Sequence, residues 1–578
     1  MKKDRFTQKM FYRFLIPSLV SSVALAFGNV VDAVVVGTSI GEAGLAAISL
    51  MLPIYMVFNV FDIGISMGGC IEYARLLGEG KAKAAKEHFN RMLQAALAVS
   101  ILIAVLGNLF LPHILYVLGA TQNDTALYEM CWTYARILVT SAPLFFINFL
   151  LYYFIRNDDN QKLASIGFII GNLLDFALNY VLVIVLHYGV EGAAWATVIG
   201  QAASILIYLP HLFMKHNILG LQPIRPDIRE VFKSFRTGFA TSNQYIFQFL
   251  FILTANNILM RIGGEGGVAI FGVVLNISYI ALCLYDATGA TLQPLISTFT
   301  GEKNKTAVKS TLKLSFAWGM GLSAALIFVI FIFAENICGF FGLRADVALG
   351  VYAVRLFCIG ALFAGVSIIA SAYYQSEGRA KWSFSIGLLR NCIVLLPLTA
   401  VFGFMGEQNF WWIFPVTEAA CLAVWILWRQ MSRSRNKEEA LDRARIYSRM
   451  IENKNEDIKT LLAEVEAFCE KWDADARQSY YVLMTVEEIC NAIIINAFGG
   501  SGGEYIQLTL IAGEDGMFDL HVRDNATLFN PFDMITKKVD IDDSERNLDS
   551  LGMLMIKNKS KDFFYRRYQG FNTLTVKV

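Results

Sequence analysis

The sequence is poor in charge. Only 17% of its 578 residues are Asp, Glu, Lys or Arg, and 56% are hydrophobic. A soluble globular protein carries about 25% charge. It has nine cysteines but no C-x-x-C pair, and seven of them sit in apolar surroundings, where Cys behaves as a small hydrophobe. A disulfide framework is therefore not expected. Its six histidines show no metal-ligand spacing, and no G-x-x-x-x-G-K-[ST] loop is present, which argues against a primary ATP-driven pump. The charge it does have is unevenly placed. Of the 97 charged residues, 45 lie in Ser432–Val578, about 30% of that stretch against about 12% of what precedes it. A simple soluble enzyme is excluded. The composition implies a polytopic membrane region followed by a soluble domain.

A bilayer-crossing helix needs about 20 apolar residues. Apolar runs separated by turn or charged segments give twelve spans, at 11–37, 45–76, 89–112, 128–155, 163–187, 191–214, 231–262, 267–299, 310–335, 348–375, 383–404 and 408–429. The basic N-terminus followed by an apolar run mimics a signal peptide, but the run is long and holds Asp32, so it reads as a retained first helix. Lys and Arg cluster in alternate loops: the N-terminus, Lys81/Lys83/Lys86, Arg156/Lys162, Lys303/Lys305/Lys309 and Arg379/Lys381. The positive-inside rule puts these loops, both termini and the tail in the cytoplasm. The expected location is the plasma (inner) membrane, crossed many times.

The membrane region repeats. Gly41-Glu-Ala-Gly44 recurs as Gly264-Glu-Gly-Gly267, an offset of 223 residues. The same offset carries Leu52 to Leu275, Gly78-Glu79 to Gly301-Glu302 and Lys86 to Lys309. Two six-span halves in one orientation imply a pseudo-twofold axis along the membrane normal and a transporter with a cavity between its lobes. An inert anchor needs one or two helices. Charges inside spans are costly and mark function. Asp32 lies deep in span 1, and Asn172, Asp175 and Asn179 share one face of span 5 by their spacing. Thr197 follows in span 6, and Asp62 and Asp286 lie in spans 2 and 8. Oxygen donors of this kind suit H⁺ or Na⁺. The alternative is a hydrogen-bonded packing network that never titrates.

These residues carry a specific likeness. Asn29-Val-Val-Asp32 through Gly41-Glu-Ala-Gly-Leu-Ala-Ala-Ile-Ser-Leu-Met-Leu-Pro53, and Gly189-Val-Glu-Gly192-Ala-Ala-Trp-Ala-Thr197, resemble the multidrug and toxic compound extrusion (MATE) family over residues 10–430. The resemblance implies cation-coupled antiport of amphipathic, often cationic, organic compounds. It gives Asp32 the part of ion-binding and conformational switch residue. Many members carry Asn then Asp in span 5, where this sequence has Asp175 then Asn179.

In the tail, helical periodicity over Asp457–Trp472 and Asp475–Phe498 precedes two strand patterns, Tyr505–Ile511 and Met517–Val522. A helix around Leu551–Asn558 and a closing strand Asn572–Val578 follow, which together make an α+β sandwich. Glu487 and Asn491 sit at i, i+4; a carboxylate so placed can act as base and an amide oxygen can ligate Mg²⁺. Asp524 ends a strand, and Gly552 lies at a helix start suited to phosphate. In their order and spacing these residues resemble the histidine-kinase-like (GHKL) ATP-binding fold, and within it the anti-sigma-factor serine kinases, over residues 446–578. That resemblance implies ATP and Mg²⁺ as cofactors, Glu487 as catalytic base, Asn491 as Mg²⁺ ligand and Asp524 as the adenine-reading carboxylate. Ala526 and Ser550 stand where the pattern has glycine.

The expected architecture is thus an all-α polytopic membrane protein of twelve helices in two lobes, residues 1–215 and 216–430. A charged linker, 431–453, and a cytosolic α+β domain, 454–578, complete it. The leading function is an H⁺- or Na⁺-coupled exporter with a fused nucleotide-binding regulatory domain. The partners are a small, organic, cationic substrate, the lipid bilayer and a cytosolic regulatory protein; no nucleic acid is expected. The alternatives are a membrane sensor whose tail is a serine-kinase-like domain, and a lipid-linked saccharide flippase.

Overall fold

The computed structural model of the chain describes residues 5–39, 41–118, 125–214, 217–340, 347–431, 444–452, 455–498, 504–513, 516–536, 544–568 and 571–578. The repeat read from the sequence is a repeat of helices. α2 (Gly41–Gly78) and α11 (Gly264–Gly301) are both 38 residues long and begin and end at the 223-residue offset. So do α3 (Ala82–Leu109) and α12 (Lys305–Ile332), both of 28 residues. Among the described residues, eleven helices are long and apolar enough to cross a membrane, and one bent pair completes twelve. The chain is a multi-pass membrane protein.

The bent pair is the span expected over 128–155, broken in its middle rather than straight. Leu127–Thr140 and Ala142–Asn157 meet at 49°. Pro143 sits in the first turn of the second piece, where its missing N–H costs nothing, although it would have broken a continuous ladder. The first half contains α5 (Thr125–Thr140), α6 (Ala142–Asn157), α7 (Gln161–Asn179) and α8 (Gly189–Phe213). α9 (Ile228–Ser242) and α10 (Gln244–Ile262) open the second half, and α14 (Val347–Ser376) and α15 (Ala380–Leu388) follow α12. Each lobe has its own core. One gathers Phe89, Phe146 and Phe154. The other gathers Phe271, Tyr285 and Phe357 and also takes in Phe6, Phe11 and Phe14 of α1 (Arg5–Ser39). The first helix therefore packs its N-terminal half on the second lobe.

Where α2 and α11 end, the lobes close on each other. A Cβ at Gly78 would strike the Thr298 carbonyl, and one at Gly301 would strike the Arg75 carbonyl. The two repeat-related glycines let the ends of α2 and α11 cross with backbones in contact. Asn157 and Gln293, both 1% exposed, add a reciprocal amide pair between the lobes: Nδ2 of Asn157 donates to Oε1 at 3.1 Å and Nε2 of Gln293 donates to Oδ1 at 3.3 Å.

The tail is an antiparallel five-stranded sheet covered on one face by helices. The strand order is β1-β2-β3-β5-β4, with β1 Ile446–Glu452, β2 Tyr505–Ala512, β3 Phe518–Asp524, β4 Asp562–Tyr568 and β5 Phe571–Lys577. Two strands correct the sequence reading. β1 falls in what was read as the linker 431–453, and β4 was not read at all. Both are edge strands rich in Arg and Tyr, so neither carries the apolar alternation of a central strand. Leu508, Leu510, Leu520, Val522, Leu574 and Val576 face α19 (Asn455–Lys471), α20 (Ala476–Asn496) and α21 (Ser544–Lys559).

Candidate functional sites in the membrane and the tail

α7 and α8 are stitched together by Tyr208, whose hydroxyl donates to the Ala164 carbonyl at 2.9 Å, and by Ser204, whose hydroxyl donates to the Gly167 carbonyl at 3.0 Å. This fixes the face of α7 that carries the span-5 polar residues. Asn179, 4% exposed, donates from Nδ2 to Asp175 Oδ1 at 3.0 Å. Its own Oδ1 is buried with no hydrogen-bond partner. A buried acceptor without a donor is costly, and a cation relieves it. The α-helix ends at this residue and continues as a π-helical stretch, Tyr180–Val185. Such stretches are frequent at functional sites, because the widened ladder re-aims side chains.

The other expected residues are more dispersed. Asn172 Nδ2 donates back to the Phe168 carbonyl at 2.7 Å, and Thr197 Oγ1 donates to the Ala193 carbonyl at 3.2 Å. Asp62, 2% exposed, accepts from Ser66 Oγ at 3.0 Å. Asp286 is exposed at the middle of α11, within electrostatic reach of Arg390. Asp32 lies on α1, and its side chain falls outside the described residues.

The sequence reading missed an intramembrane ion pair. Arg390 donates from Nε to Glu418 Oε1 at 2.6 Å, and Glu418 is 8% exposed. Both lie inside spans already drawn, so the rule that flagged Asp62 flags them too. Arg390 sits in a second π-helical stretch, Leu389–Val394. Each lobe thus widens one helix beside a polar group. A third cluster lies near the seam between the lobes, next to Asn157. Asp158 accepts from Tyr73 at 2.6 Å, pairs with His211 Nε2 at 3.0 Å and accepts from the Leu219 backbone at 3.2 Å.

In the tail, Asp524 closes β3 and is 2% exposed. Its Oδ1 accepts from Asn572 Nδ2 at 2.8 Å and from the Ala526 backbone at 3.0 Å. Burial pushes its carboxyl up to about 6 against those two hydrogen bonds. The Asn572 side chain is held in turn by Tyr565, whose hydroxyl donates to Oδ1 at 2.9 Å. Gly552, expected at a helix start, lies instead in the middle of α21, which begins at Ser544, with the Glu488 carboxylate against it; a Cβ there would come within 2.5 Å of Glu488 Oε2. Glu487 is exposed and Asn491 half-buried on α20. Successive helical residues are about 100° apart. Glu488, not Glu487, is therefore the carboxylate turned to Gly552. One turn beyond Glu488 is Ala492, which has no ligand to offer a metal. Ser550's side chain lies outside the described residues.

Two lobes with intramembrane polar sites, closed at one end and joined to an α+β sandwich, define a polytopic carrier with a nucleotide-type accessory domain. The MatE family model matches residues 17–181 and 240–401, and the histidine kinase-like ATPase domain model matches residues 451–578. The chain belongs to the MatE family, with a histidine kinase-like ATPase domain at its C-terminal side. A probable multidrug resistance protein, YoeA, of Bacillus subtilis is 23% identical over 398 residues, 67% of this chain and 85% of that protein. The multidrug export protein MepA of Staphylococcus saprophyticus is 20% identical over 437 residues, 74% of this chain and 95% of its own. A MATE crystal structure in the straight conformation matches with TM-score 0.69 at 21% identity, over 75% of this chain and 97% of that one. A MOP superfamily transporter from Pyrococcus furiosus matches with TM-score 0.67 at 21% identity, over 74% and 96%. At these identities the structures share the fold.

Proposed function

We propose that this protein is an H⁺- or Na⁺-coupled antiporter that exports small, amphipathic, cationic organic compounds across the plasma membrane, with both termini cytosolic. The observation that carries the reading is the Asp175–Asn179 pair, whose amide Oδ1 is a buried acceptor awaiting a cation. Asp32 is the second ion-binding residue and the conformational switch. Thr197, Asn172 and Asp62 support that lobe, while Asp286 supplies negative charge for a cationic substrate in the cleft. The export activity named for the relatives is in keeping with this. The test uses inside-out vesicles holding the full chain and ethidium as probe. An imposed proton or sodium gradient drives uptake without ATP, and Asp175→Asn or Asp32→Asn abolishes it. Uptake that is gradient-independent in the parent protein refutes the coupling.

The soluble domain binds adenine nucleotide, with Asp524 reading the exocyclic amine. Asn491 is the candidate Mg²⁺ ligand, but it stands beside the Glu488 face rather than on it, so the domain is proposed to bind and regulate rather than to phosphorylate. Thermal stabilisation of the full-length protein by ATP, lost in Asp524→Ala, tests the binding. Phosphoryl transfer to any added protein, abolished by Glu488→Gln, would favour the kinase reading instead.

A further inference from the structure

The sheet of the soluble domain has a second face. Opposite the helices, its side chains are polar, yet they are buried: Gln507 is 8% exposed, Thr509 0%, His521 3%, Arg523 2% and Thr573 4%. What covers them is the cytosolic end of the membrane region. Arg523 makes an ion pair with Glu302, itself 4% exposed, at the C-cap of α11. The Arg523 guanidinium also lies over the rings of Phe6, at 4.7 Å, and Phe299, at 5.7 Å. Phe6 packs edge-on against Phe571 with ring centroids 4.8 Å apart, and Arg13 of α1 lies over the same Phe571 ring at 5.0 Å. Lys303 pairs with Asp519 at 3.3 Å. On the other lobe, the turn after α2 brings Gly80 against Phe564 of β4.

One rigid sheet therefore spans the seam where the lobes close. β3 and β5 hold the second lobe through Glu302, Phe299 and Phe6, and β4 rests on the first lobe beside Gly80. Glu302 directly follows Gly301, the glycine that seats α11 on the Arg75 carbonyl. Separating the cytosolic ends of α2 and α11 would pull the two sets of contacts apart. It would also expose Arg523 and Glu302 without partners, or the polar sheet face without cover. Breaking a buried ion pair by removing one member is strongly unfavourable.

We propose that the docked soluble domain is a lock across the cytosolic closure of the transporter, keyed by Arg523–Glu302, and that the lobes separate on the cytosolic side only when it lifts. The test uses the full-length protein in lipid nanodiscs. Spin labels at Lys83→Cys and Lys381→Cys, exposed on opposite lobes, report lobe separation. In a second sample, Gly80→Cys with Phe564→Cys reports docking. A Cβ at Gly80 lies 3.2 Å from the Phe564 Cβ, close to the separation a disulfide bridges. In the parent background the disulfide forms and the label distance is single and short. Arg523→Glu should slow the disulfide by roughly 100-fold or more and add a longer label distance. The charge-reversed pair Glu302→Arg with Arg523→Glu should restore both, which separates the latch from a simple folding defect. Arg523→Glu that undocks the domain but leaves the label distance unchanged overturns the lock. Arg523→Glu that leaves the disulfide rate unchanged overturns the key.

Discussion

Asn157 and Gln293 meet as two amides, each donating to the other, and they form a buried hydrogen-bonded link between lobes where the end of α6 meets the C-terminal part of α11. Neither side chain has water to fall back on, though Asn157 Nδ2 also donates to the Tyr153 carbonyl of its own helix at 2.8 Å. Removing Asn157 leaves the Gln293 amide unpaired, at about 1–3 kcal/mol. Asn157→Ala should therefore shift the lobes towards cytosolic opening by roughly 5- to 150-fold. The double variant Asn157→Leu with Gln293→Leu should shift them less than the sum of the two single changes. Cysteine accessibility at Thr298, beside the seam, measures both.

Arg390 and Glu418 pose the same question within one lobe. Arg390→Ala strands the buried Glu418 carboxylate, and loss of one partner of such a pair costs about 3–5 kcal/mol. Replacing both by Met should cost far less, since desolvation offsets much of a buried pair's attraction. The melting temperature of the purified protein should fall sharply in the single variant and recover in the double one. Equal melting points for the parent and the Arg390→Ala protein would show that Glu418 finds another partner.

Asp175→Asn keeps a hydrogen bond to Asn179 but removes the charge. Transport driven by an ion gradient should disappear, while exchange of ethidium across the membrane without a gradient should persist. Asn179→Ala, which deletes the unused acceptor, should weaken dependence on the coupling ion without unfolding the α7–α8 contact made by Tyr208 and Ser204. Kinetics at graded ion concentration distinguish the two variants.

Asp524 gives the soluble domain a pH signature. Burial raises its carboxyl from 3.8 to about 6, so the folded state holds the proton more tightly than the unfolded chain. The favourable contribution is present in full below the unfolded pKa and is lost as pH rises to about 6, about 3 kcal/mol at most. Hydrogen exchange at β3 and β5 should therefore quicken between pH 4 and about 6, and Asp524→Asn should flatten that dependence. Adenine recognition runs the other way. The ionised carboxylate is the acceptor, so ATP affinity should weaken as pH falls below about 6.

Much of this protein was legible without coordinates, because a bilayer imposes a period and a length on any helix that crosses it. The apolar runs follow from that constraint, the alternating basic loops from the positive-inside rule, and the 223-residue offset is a direct repeat of the sequence; α2 and α11 begin and end where the repeat says. The three inner strands and the helices of the tail were likewise visible in the sequence. What local pattern could not show is which polar groups meet. Edge strands β1 and β4 lack the alternation of buried strands, because one rim of each is free and their charged residues pair elsewhere. Glu487 and Glu488 are neighbours in sequence, and only the rotation of α20 decides that the second turns to Gly552. Asn157 and Gln293 are 136 residues apart, and Glu302 and Arg523 are 221 apart. No spacing rule reaches that far. Such contacts arise from the crossing of two helices at paired glycines and from a polar sheet face finding a partner to cover it, and these are properties of the assembled chain.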